Sequence, residues 1–89
     1  MEFEFDPEKS ARNRTKHGID FVQAQDLWGD PERVEVPART VGEPRWLVVA
    51  RIGGVHWSAV VTYRELRGGI ISVRRARVEE VKLYGHDEH

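Results

Sequence analysis

Two runs rich in strand-forming residues, Arg45 to Ile52 and Val55 to Arg64, are separated by nothing but Gly53-Gly54. Val, Ile, Trp, Thr and Tyr crowd both runs, as a pleated, half-buried surface prefers. The two glycines permit the positive backbone dihedrals of a tight hairpin. A β-hairpin is therefore the unit around which the rest of the chain must fold. A further apolar run, Gly69 to Arg74, follows a second connection at Arg67-Gly68-Gly69, and Arg33 to Val36 precedes the hairpin. The expectation is a four-stranded antiparallel meander, with the alternating Glu2–Phe5 as a short edge strand.

The N-terminal third reads as helical. Asp6 can cap free amides, Pro7 suits the first helical position and Glu8 the acidic first turn, so a helix is expected to about His17, ending at Gly18. Between Pro7 and Ile19 only Ala11 is apolar, while Lys9, Arg12, Asn13, Arg14 and Lys16 leave the helix polar, so it is either exposed or used for binding. Asp20 can cap a second helix with Phe21, Ala24 and Leu27 or Trp28 on one side, broken at Gly29-Asp30-Pro31. A last helix is expected from about Arg77 to Tyr84, followed by a frayed tail over residues 85–89. The fold class is α+β: one small domain spanning residues 1–89, with N-terminal helices packed on a mainly antiparallel four- to five-stranded sheet and a short C-terminal helix.

Composition bounds the function. Eighty-nine residues suit a single core, and 39% hydrophobic residues with no long apolar run give no membrane span. Met1-Glu2-Phe3-Glu4-Phe5-Asp6 lacks the basic start and apolar stretch of a signal peptide, so a cytoplasmic location is expected. With no cysteine, disulfides, thiolate metal sites and thiol nucleophiles are excluded. The formal charge of −1 conceals an asymmetry: residues 1–44 hold six Lys/Arg against ten Asp/Glu, and residues 45–84 hold eight against three.

The basic excess gathers where the last apolar run meets Arg74, Arg75 and Arg77. Arginine offers forked donors that match phosphate oxygens two at a time, which points to a phosphate-bearing polymer. The same arginines can instead pair with Glu79 and Glu80. Strand alternation puts Thr62 with Arg64, and Ser72 with Arg74, on one polar face. Val61, Tyr63, Ile71 and Val73 turn to the helices, and Arg75 falls on that apolar side. Such a patch suits RNA cleavage without metal, in which the ribose 2′-hydroxyl attacks the adjacent phosphate and the enzyme supplies a base, an acid and positive charge. Candidates for proton transfer are His17, Glu43, His56, Lys9 and Tyr84. His17 at a helix end is also where the dipole favours histidine, and His56 beside the glycine turn also reads as an ordinary strand residue. His86 and His89 have a metal-ligand spacing, but a charged tail explains them better, so neither metal nor cofactor is expected. Trp28, Trp46 and Trp57 suit base stacking or core packing.

Read together, Phe5-Asp6-Pro7-Glu8-Lys9, Asn13, Lys16-His17-Gly18-Ile19, Phe21, Ala24, Asp30-Pro31, Gly42-Glu43-Pro44-Arg45-Trp46 and Ile70-Ile71-Ser72-Val73-Arg74-Arg75-Ala76, with Glu79, Glu80 and Tyr84, resemble the BrnT toxins. Val73 stands where members of that family often have alanine. The resemblance implies a RelE-like ribonuclease fold and RNA cleavage that blocks translation. It also implies neutralisation by a BrnA-type ribbon-helix-helix antitoxin, with operator DNA bound only through the toxin-antitoxin complex. Carried over residue by residue, it marks Lys9, His17, Glu43, Arg45, Arg64, Ser72, Arg74 and Tyr84 as functional candidates, of which His17, Glu43, Arg64, Arg74 and Tyr84 are read here as catalytic. Lys9, Arg45 and Ser72 join Arg75 and Arg77 as RNA-binding candidates. The competing expectation is a non-catalytic interaction module whose basic sheet docks the antitoxin or another acidic partner.

Overall fold

The computed structural model describes residues 1–38 and 42–85. Of the tail expected over residues 85–89, Gly85 instead closes the last helix, and residues 86–89, with the His86/His89 spacing, lie outside the described residues. In chain order the elements are β1 (Glu2–Glu4), α1 (Pro7–His17), a 3-10 helix (Gln23–Gly29), β2 (Val34–Ala38), β3 (Arg45–Ile52), β4 (Val55–Arg64), β5 (Arg67–Arg75) and α2 (Val78–Gly85). Strands β2 to β5 form the antiparallel meander, and β1 joins it parallel to β5, for a sheet order β1-β5-β4-β3-β2.

Both central hairpins turn on two residues. Ile52 pairs with Val55 around Gly53-Gly54, where Gly53 takes φ 61°, and Arg64 pairs with Arg67 around Glu65-Leu66, where Glu65 takes φ 55°. A positive φ at the first turn residue matches the right-handed twist of the flanking strands. The second connection therefore lies at Glu65-Leu66, and Arg67-Gly68-Gly69, expected as the turn, belong to β5. Their glycines answer a packing demand: a Cβ on Gly69 would lie 2.6 Å from Thr62 Oγ1 across the strand pair.

A β-bulge corrects one face assignment. Val60 pairs with Ser72 but Val61 pairs with Ile70, so Ile71 is the extra residue. Ile70 rather than Ile71 joins Val61 in the core, at 4% exposure. Beyond the bulge the alternation resumes, leaving Ser72 and Arg74 on the face away from the core and Val73 within it. That core packs Val48, Ala50, Ala59, Val61, Ile70 and Val73 of the sheet against Ile19, Phe21, Ala24 and Leu27. Trp28, Trp46 and Trp57 pack around its margin. The opposite face, at Val49 and Ser58, lies under α2, which buries Glu80 and Tyr84.

Helix α1 is stopped as its sequence implies: Asp6 Oδ1 accepts from Glu8 N at 2.9 Å, and the Gly18 amide, at φ 81°, donates to Arg14 O. Its packing face is polar. Phe21 N donates to the buried Ser10 Oγ at 2.9 Å. Buried Asn13 donates from Nδ2 to Ile19 O and Val73 O, each at 2.8 Å, and accepts from Val73 N at 3.2 Å. β1 pairs with β5 only as far as Gly69, and beyond that point the Asn13 amide takes the place of a neighbouring strand at Val73. Buried backbone groups left without such a partner cost about 1–3 kcal/mol each, which is what fixes a nearly apolar-free helix to the sheet. The second helix is a 3-10 segment. Asp20 and Gln23 exchange reciprocal bonds at its start, and Asp30 ends it by accepting from Glu32 N, Arg51 N and Tyr84 Oη.

Candidate functional site: a basic groove between α1 and β5

Lys9, Arg12 and Lys16 recur at three- and four-residue spacing and so share one side of α1. With His17 they line a shallow depression of about 320 Å3, floored by Ile71 and Ser72 of β5. No carboxylate of a described residue pairs with any of these four side chains. Asn13 sets the spacing of the two walls, since the residue that anchors α1 to Val73 lies between Arg12 and Lys16. The structure thus brings together three of the candidates, Lys9, His17 and Ser72, and adds Arg12 and Lys16.

Arg74 lies outside the lining of this depression. It follows Ser72 on the same face of β5, about 7 Å along the strand. Its end-on fork is taken by Glu80, with Nη1 to Oε1 at 2.7 Å and Nη2 to Oε2 at 2.8 Å, while Nη1 also donates to Arg75 O. Glu80 accepts further from Ser58 Oγ at 2.9 Å and Arg77 N at 2.8 Å. The Arg74 bond, helped by Arg77 and Ser58 and opposed by burial, holds the Glu80 carboxyl down at about 2. Of the five N–H donors of a guanidinium, Arg74 keeps Nε–H and one Nη2–H unused, which together form its side-on fork.

The other candidates lie elsewhere. Arg64 gives its own side-on fork to Glu43, both contacts at 2.8 Å, on an exposed part of β4. That bond, with the nearby charges of Arg64 and Arg45, holds the Glu43 carboxyl below its ordinary range. Arg64 pairs with Arg67, and Arg74 with Ser58 six residues back along β4, a separation of about 20 Å. The two arginines share a face but cannot share a phosphate. Arg75 points to the other face, its guanidinium 5.5 Å from the centre of the Trp57 ring. Arg77 is exposed at the approach to α2. Tyr84 is buried and donates to Asp30 Oδ2 at 2.8 Å, with its ring edge-on to His56. Burial first, then Asp30, pushes its hydroxyl up to about 12, so it stays a protonated donor that pins α2 to the start of the meander. Among the described residues no three His, Cys, Asp or Glu side chains converge as metal ligands would, and no helix is long and apolar enough to cross a membrane.

Residues 5–80, most of the chain, match the family model of the ribonuclease toxin BrnT of type II toxin-antitoxin systems. The chain belongs to the BrnT toxin family. A search of the curated proteins finds no match. Membership makes it the toxin of a toxin-antitoxin pair, with a ribonuclease role, RNA as substrate and an antitoxin as partner. Sequence reasoning did not single out Arg12 and Lys16 as site residues in this BrnT chain, although their spacing from Lys9 was a readable signal. Of the expected pairing of the arginine cluster with Glu79 and Glu80, the structure bears out Arg74 with Glu80; the part of Ser58, which depends on a cross-strand register no local pattern shows, was not seen.

Proposed function

We propose that this BrnT-family chain is a metal-independent endoribonuclease that cuts RNA along the α1–β5 groove and so stops translation in the cytoplasm. The observation that carries this reading is the row of cations Lys9, Arg12 and Lys16, which no carboxylate of a described residue pairs, beside His17 and Ser72 in one depression. Lys9, Arg12 and Lys16 hold the RNA backbone. Arg74, pre-positioned by Glu80, offers its free side-on fork to two oxygens of the scissile phosphate, where charge grows in the transition state. His17 moves the proton: the 2′-oxygen attacks phosphorus, the bond to the 5′-oxygen breaks, and the products are a 2′,3′-cyclic phosphate and a 5′-hydroxyl. Ser72 hydrogen-bonds the strand between them. Arg45 and Arg64, with Glu43, contact RNA farther out, and Tyr84 acts through α2 by keeping Glu80 seated on Arg74. The family supports an antitoxin partner, and the formal charge of −1 supports leaving operator DNA to an antitoxin of ribbon-helix-helix type.

The test is to incubate the purified toxin, freed of antitoxin, with end-labelled RNA in excess EDTA, beside Arg74→Ala and Arg12→Ala/Lys16→Ala variants that remain folded by circular dichroism. Cleavage by the parent with cyclic-phosphate ends, and its loss in the variants, is expected. Cleavage that needs added metal, or that survives Arg74→Ala unchanged, refutes the mechanism. No cleavage of free RNA or of RNA on translating ribosomes refutes the assignment of the groove.

A further inference from the structure

Directly past His17 the chain turns at Gly18 into a second depression, of about 260 Å3, bordered by Gly18, Ile19, Gln23, Asp26, Val55 and Trp57. It is small enough for a single base and differs in character from the cationic groove. Gln23 and Asp26 stand three apart in the 3-10 helix, the spacing at which side chains eclipse, so both project to the same side. Gln23 uses Oε1 to accept from the Asp20 amide, which leaves its Nε2 hydrogens to donate outward. Asp26 is exposed, and no described residue bonds its carboxylate. Trp57 forms a half-buried aromatic wall, and the exposed Arg75 guanidinium, outside the lining of the depression, lies over the indole 5.5 Å from the ring centre and so holds the ring in place.

A flat wall beside one anionic acceptor and one amide donor is complementary to the edge of a nucleobase. Among the four bases guanine alone presents two adjacent donors, N1–H and N2–H, to a carboxylate, with O6 beside them to accept from an amide. Adenine and cytosine offer a carboxylate one amino group, and uracil sets a single N–H between two acceptors. We infer that this depression is a guanine-binding subsite, with Trp57, held by Arg75, as the stacking wall and Asp26 and Gln23 as readers of the base edge, so that cleavage falls beside guanine. The inference rests on the α1–β5 groove being the RNA track. Lys16-His17 of the groove run straight into Gly18-Ile19 of the depression, so a nucleotide whose phosphate rests on the groove has its base next door.

The experiment uses two readouts on the toxin freed of antitoxin. The first is cleavage of RNAs that differ only in carrying guanine, inosine or adenine at one position, inosine lacking the N2 amine. The expected order is guanine, inosine, adenine, and Asp26→Asn should lower cleavage at guanine relative to adenine at least tenfold. The second is binding of guanosine monophosphate followed by tryptophan fluorescence, which needs no cleavage, and which Asp26→Asn and Arg75→Gln should weaken at least fivefold. Both substitutions are on the surface, so they decide the matter even where Trp57→Phe fails to fold. Wild-type base preference retained in Asp26→Asn overturns the subsite. Guanine-blind cleavage by the parent overturns the subsite and leaves the ribonuclease reading standing. Binding of the nucleotide that Asp26→Asn abolishes, in a protein that cleaves no RNA, supports the subsite and removes the ribonuclease reading.

Discussion

Replacing Glu80 with glutamine tests whether the ion pair under α2 is a major support of the fold. The Glu80 carboxyl lies at about 2 in the folded chain against an ordinary 4.5. That difference is worth roughly 3 kcal/mol of folding stability near neutral pH. Two independent bounds bracket it: removing one partner of a fully buried pair costs about 3–5 kcal/mol, and an exposed pair contributes about 0.2–1 kcal/mol. The Arg74 side chain is 29% exposed and the Glu80 side chain 10%, so the pair sits nearer the buried limit. Glutamine keeps one acceptor for Ser58 and Arg77 but loses the charge, and a cost of about 2–3 kcal/mol is expected. For a chain of this length that is a large share of a total on the order of 5–10 kcal/mol.

The sign of the pH dependence follows from the direction of the shift. A carboxyl held low in the folded state contributes fully above its unfolded value of about 4.5 and loses its contribution as pH falls towards about 2. Urea melts of parent and Glu80→Gln should therefore differ most at pH 7 and converge between pH 4.5 and 2. Glu79→Gln, one residue away and exposed, should shift stability by less than about 0.5 kcal/mol. A Glu80→Gln effect no larger than that of Glu79→Gln, or a gap that stays constant down to pH 2, would refute the reasoning.

Asn13→Ala should cost about 2–4 kcal/mol by leaving Val73 N, Val73 O and Ile19 O without their partner, and hydrogen exchange at the Val73 amide should accelerate; normal protection there would show that water replaces the side chain. Both tyrosines should resist ionisation through the ordinary range and ionise near 12, so absorbance titration should show no tyrosinate at pH 10 in the folded chain. Because each hydroxyl is raised in the folded state, the stability it contributes is present below about pH 10 and is lost as pH rises towards 12. The RNA affinity of the toxin should fall with salt, and each of Lys9→Ala, Arg12→Ala and Lys16→Ala should reduce the logarithmic slope by about 0.7; unchanged slopes would place the RNA elsewhere.

The elements were legible where one local signal decides them. Asp6-Pro7 and Gly18 bound α1, Gly53-Gly54 turns the first hairpin, and β3 and β4 begin and end where their apolar runs do. Two features were not legible because they depend on a partner strand. The bulge at Ile71 is a choice of register between β4 and β5, and nothing in Ile70-Ile71-Ser72 distinguishes which isoleucine enters the core. The Gly68-Gly69 pair reads as a turn until Thr62 is placed across from it, at which point the absence of a side chain becomes a packing requirement. The candidate site divides in the same way. Lys9 and His17 share a helix, and their common side follows from the 3.6-residue repeat. Their meeting with Ser72 depends on Asn13, a contact sixty residues apart in sequence.

The contrast between Arg64 and Arg74 shows why residue type alone could not sort the candidates. Both hold a carboxylate with two short bonds, and both are shifted further towards the charged state by that partner. They differ in which fork is occupied and in what surrounds it. Arg64 commits its side-on fork to Glu43 at a site 71% exposed, where water competes with the pair and the guanidinium remains free to exchange partners. Arg74 commits its end-on fork to a carboxylate that Ser58 and Arg77 also hold, so it stays fixed while its side-on fork remains available. A transition state gains most from donors that need no reorganisation when charge develops. In the mechanism we propose, that requirement selects Arg74 for the phosphate, and it makes Glu80, which reads as a quencher of the arginine cluster, the residue that aims it.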